Sequence, residues 1–154
     1  MIQRIQTVFL VLVVVLLGAA MFLPTFAGNV QELTLFGLKK VVAGKEIQSE
    51  FMPYGIAGIL ASVSLLIAIA EIVSFKNRVL QLKLGLFNSL LLLINMAGSF
   101  YFAYSLKAEV LGVKMELGPK LGIFLLMGAV VLNQLASKFI RKDDNLVKSV
   151  DRIR

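Results

Sequence analysis

Cysteine and histidine are both absent from this sequence. Without cysteine there is no disulfide, no thiol nucleophile and no thiolate metal site. Without histidine the chain lacks the usual general base and the commonest transition-metal ligand. Carboxylates, hydroxyls, amides, lysines and arginines are what remain for chemistry. The residue inventory therefore argues against an enzyme and singles out no catalytic, cofactor-binding or metal-ligating side chain. Charge is scarce as well, at 16% of the 154 residues against 58% hydrophobic. A single soluble domain of this length has too little interior to hide so much apolar side chain.

What is present is apolar and comes in blocks. Four uncharged runs stand out: Ile5 to Gln31 with its apolar core at Val8–Leu23, Phe51 to Ala70, Leu84 to Leu106, and Leu121 to Ser137. At about 1.5 Å per helical residue, roughly 20 residues cross a hydrocarbon core. The fourth run is short, but Lys120 and Lys138 at its ends can snorkel and lengthen it. A lone strand in lipid leaves its backbone unpaired, so even the valine-rich first run reads as helix. The expectation is an all-α integral membrane protein, a four-transmembrane-helix bundle in one membrane domain over residues 1–154. Its spans are expected at about 5–23, 53–73, 84–105 and 120–140, its outer loops at 24–52 and 106–119, and its cytoplasmic tail at 141–154. Arg4, the apolar Val8–Leu17 and Thr25-Phe26-Ala27 also have the order of a signal peptide. The apolar stretch continues to Leu23, which is long for one and favours a retained first span.

Orientation follows from the basic residues flanking the spans. One side carries 10 of them: Arg4, Lys76, Arg78, Lys83, Lys138, Arg141, Lys142, Lys148, Arg152 and Arg154. The other carries 6, namely Lys39, Lys40, Lys45, Lys107, Lys114 and Lys120, offset there by Glu32, Glu46, Glu50, Glu109 and Glu116. Both ends are therefore expected in the cytoplasm, N-in and C-in. The net charge of +7 follows the span ends and shows no aromatic-and-basic alternation, so membrane lipids and not nucleic acid are the expected contacts.

The outer loops share a pattern, Leu35–Lys39 and Val110–Lys114 both reading apolar-apolar-Gly-apolar-Lys. Short alternating segments broken by glycine suggest strands within 32–39 and 108–117, a small extracytoplasmic β cap and a weak internal duplication. Chance similarity explains the shared pattern about as well. Beyond Ser137, Asp143, Asp144 and Asn145 suit a helix start. Leu146, Val147, Val150 and Ile153 then share one face of a separate C-terminal amphipathic helix, resting on the inner leaflet or docking a partner.

Polar groups at membrane depth are the remaining signal. Glu71 lies at the inner end of the second span, where it reads more readily as structural than functional. Asn88 and Asn95 on the third span, with Asn133 and Gln134 on the fourth, need hydrogen-bond partners. They form with Glu71 a candidate inner-leaflet polar network, either interhelical glue or the lining of a narrow path. Gly55, Gly58, Ser62, Gly122, Gly128 and Ala129 are small residues suited to close helix packing.

The opening Met1-Ile2-Gln3-Arg4-Ile5-Gln6-Thr7 and the tail from Phe139 to Arg154, with Ile140-Arg141-Lys142-Asp143 and Asp151-Arg152-Ile153-Arg154, resemble the two ends of a bacterial domain-of-unknown-function family. Its members are four-span inner-membrane proteins of about 150 residues, and the family implies no activity, substrate or site. The resemblance implies that the cytoplasmic ends matter, for insertion, lipid contact or a partner. The sequence thus leads first to a non-enzymatic accessory or structural protein of the bacterial inner membrane, without a cofactor, acting through protein or lipid contacts. A small oligomeric transporter or channel using the polar residues is the second expectation, and a lipid-active membrane enzyme the third.

Overall fold

A computed structural model of the protein describes residues 2–28, 31–42, 45–75, 77–109 and 117–151. Four helices dominate it: α1 (Ile2–Phe22), α2 (Ile56–Val73), α3 (Arg78–Glu109) and α4 (Leu121–Asp151). All four are long and apolar enough to cross a membrane. Their limits have local causes. Pro24 follows α1, and Pro53 sits in the turn that precedes α2. Asn77 caps α3 by accepting the Leu80 N–H on its side chain at 3.1 Å.

The helices close a ring in which α1 packs on α2 and α4, and α3 packs on the same two. Leu10, Val13 and Leu17 of α1, Leu92 of α3, and Ile123 and Leu126 of α4 fill the interior. Large apolar side chains also cover the outside, among them Val15, Leu66, Phe87, Leu90, Phe124 and Val131. Asn88, Asn95, Asn133 and Glu71 are fully buried instead. Polar groups inside and apolar groups outside is the arrangement expected of a bundle solvated by lipid.

One end of the ring carries a small antiparallel sheet. Strands β1 (Phe26–Ala27), β2 (Gln31–Thr34), β3 (Gly37–Val42), β4 (Lys45–Glu50) and β5 (Gly118–Pro119) lie in the order β4-β3-β2-β1-β5. Alternation does the work expected within 32–39, since Leu33, Leu35 and Leu38 are buried under the sheet. The turn between β2 and β3 needs Gly37, where a Cβ would come within 2.5 Å of the Glu50 carbonyl oxygen. The counterpart segment Val110–Lys114 lies outside the described residues. The strand next to it, β5, is short and pairs with β1. That pairing joins the end of α1 to the start of α4. Lys120 donates its N–H to Thr25 O at 2.9 Å, and Gly122 donates to Pro24 O at 3.0 Å.

Two expectations change. The tail is not a separate helix, because α4 runs unbroken from Leu121 to Asp151. Asp143 is no cap: its carboxylate pairs with Arg78 at the start of α3 at 3.2 Å, and its carbonyl oxygen accepts from the same guanidinium at 3.3 Å. With no glycine or proline after Gly128 to interrupt it, each added residue extends an existing helix more easily than a new one nucleates. The small residues of α2 also serve another purpose. A Cβ at Gly58 would meet the Phe36 ring at 2.6 Å and Leu35 O at 2.8 Å, so this glycine seats the β2–β3 turn, not a neighbouring helix.

Candidate functional site

The inner face of α3 carries Gln81, Gly85, Asn88, Ser89, Asn95 and Ser99, and each side chain among them is buried. The spacing of three and four residues places them in one stripe, which α2 and α4 cover from either side. Asn88 and Asn133 meet at the centre. Asn88 Nδ2 donates to Asn133 Oδ1 at 3.2 Å, while Ser64 Oγ donates to Asn88 Oδ1. Asn133 Nδ2 donates to Ser89 Oγ at 2.8 Å and to Gly85 O at 3.0 Å. Three helices are thus tied through one amide pair.

Glu71 lies nearer the end opposite the sheet. Its side chain is 0% exposed, and neither carboxylate oxygen has a hydrogen-bond partner. Ser137 Oγ of α4 is likewise buried and unpartnered. Both groups converge on Gly85: a Cβ there would lie 2.7 Å from Ser137 Oγ and 2.8 Å from Glu71 Oε1. Gln81 Nε2 donates to the Glu71 backbone oxygen at 3.2 Å. Gln81 also lines a crevice of about 480 Å³ beside α1, with Gln6, Val11, Phe75 and Arg78.

The other expected members fall elsewhere. Asn95 is buried but donates to Ala57 O at 2.8 Å near the sheet end of α2, away from the Asn88–Asn133 pair. Gln134 points out of the bundle and lines a groove of about 510 Å³ with Leu86, Val131, Ser137 and Lys138. Adjacent helical residues lie about 100° apart, so Asn133 and Gln134 cannot share the inner face. Of the tail face, Leu146 and Val147 are exposed, while the side chains of Val150 and Ile153 lie outside those described. Sequence reasoning missed Ser64, Gln81, Gly85, Ser89 and Ser137. The signal that finds three of them is the spacing of Gln81, Gly85 and Ser89 in register with Asn88.

A family model described as Domain of unknown function (DUF4293) matches residues 2–153. No curated protein and no solved structure matches the chain.

Proposed function

The chain belongs to the DUF4293 family, as its two ends led us to expect, and on that footing we propose a non-enzymatic accessory or structural protein of the bacterial inner membrane. It spans the membrane four times with both ends in the cytoplasm and the sheet outside, and it acts through protein or lipid contacts. The charge asymmetry supports this orientation, the basic-rich side being the end opposite the sheet. The observation that carries the contact reading is Gln134. This amide faces outward within a candidate span, about one turn from Lys138, above a groove whose apolar wall is Leu86, Val130, Val131 and Leu135. Outward amides of this kind favour a second helix that supplies the missing hydrogen bond.

Affinity purification of the full chain in mild detergent, with and without Gln134→Leu, tests this. A stoichiometric partner that is lost in the variant supports the accessory reading. A pure homo-oligomer lost in the variant supports a small oligomeric transporter or channel instead. Wild type and variant that both purify as bare monomers remove Gln134 as a contact.

A further inference from the structure

The buried polar stripe is complete around Asn88 and Asn133 but open at Glu71. One turn further towards the sheet, the Asn88, Asn133 and Ser89 side chains bond one another. At Glu71, both carboxylate oxygens and the nearby Ser137 Oγ have no partner. Both groups border the space over Gly85, which any side chain there would fill. An uncompensated carboxylate buried this way is among the costliest groups in a protein interior. The neighbouring charges do not compensate it. On α3, Arg78 pairs with Asp143, and Lys83 is exposed. On α4, Lys138 and Arg141 are exposed, and α2 carries no charged residue besides Glu71. The described polar side chain that α1 brings nearby is Gln6, which donates to Phe139 O at 3.2 Å.

We propose that Glu71 and Ser137 form a proton-binding site. The Glu71 carboxylate takes a proton from a solvent hydronium ion, which leaves as water, and as the neutral acid it donates that proton in a hydrogen bond to Ser137 Oγ. Gln81 bonds the Glu71 backbone oxygen and also lines the 480 Å³ crevice, so this crevice is the approach from which water would reach the carboxyl. A proton fits better than a metal ion. Hard cations take about six or more oxygen ligands, whereas the open atoms here are two carboxylate oxygens and one hydroxyl. The site goes beyond the accessory reading and does not depend on it.

Infrared difference spectroscopy of the full chain in proteoliposomes, wild type minus Glu71→Gln, tests the proposal. The expected result at neutral pH is a protonated-carboxyl C=O band that is lost in the variant, shifts down in D₂O and ignores exchange of potassium for sodium. Carboxylate bands in its place overturn the proposal, and carboxylate bands that respond to sodium replace the proton with a metal cation. A C=O band that does not move in D₂O shows a proton sealed off from water and overturns the route. Should Glu71→Gln fail to insert, Ser137→Ala carries the test. Its loss of the hydrogen bond must move the band, and an unmoved band overturns the pairing.

Discussion

Asn133 makes more interhelical contacts through one side chain than any other amide of the stripe, with bonds to Asn88, Ser89 and the Gly85 backbone. A hydrogen bond between membrane helices contributes about 0.6 to 2 kcal/mol. Asn133→Leu removes all of them and strands Asn88 Nδ2, so it is expected to lose more stability than Asn95→Leu, which gives up only the bond to Ala57 O. Denaturant titration of the purified chain in detergent checks the order; equal losses would show that the amides act independently of their number of bonds. The amides themselves were legible in the sequence, because polar residues inside apolar runs are conspicuous. Their directions were not. Asn133 and Gln134 are neighbours, and only the buried phase of α4, set by Ile123, Leu126, Ala129, Ala136 and Ile140, decides which one turns inward. The serines were harder still, since a helical serine readily satisfies itself on the preceding turn, as Ser62 does on Gly58 O at 2.8 Å.

Between elements, the joints are few and specific. The Arg78–Asp143 pair ties the start of α3 to the far part of α4, and both side chains are partly exposed. Such a pair adds about 0.2 to 1 kcal/mol at most. Asp143→Ala is therefore expected to leave the melting temperature nearly unchanged while speeding protease cleavage beyond residue 143. Unaltered cleavage would mean that the helix holds this segment without help from α3. Gly58→Leu is the opposite case, a buried joint with no room. The turn at Leu35 and Phe36 must move off α2, at a cost of about 1 to 3 kcal/mol in overpacking, read as a lower melting temperature. The sequence offered residues 143–145 as a helix start, but α4 passes straight through them. It could not show that Arg78, 65 positions away, takes Asp143 for another purpose.

For the whole molecule, the four-helix plan was readable because charges stop where the apolar runs begin. The ring order and the sheet order were not, since both depend on pairings distant in sequence. The proposed orientation predicts that reporters fused after Lys83 and after Arg154 read cytoplasmic, and that one inserted near Gly44 reads external. An external reading at the C-terminus would reverse the assignment. The closure of the ring by α1 and α4 also bears on how the protein is made. During synthesis, α1 leaves the ribosome first, but α4, on which it packs, and β5, one of the two strands that pair with β1, are among the last parts to emerge. Until then the buried face of Leu10, Val13 and Leu17 lacks the cover of α4. An intermediate of this kind waits for its own final helix, so chains cut short before Leu121 present an unfinished first helix to the proteases and chaperones that sort nascent proteins.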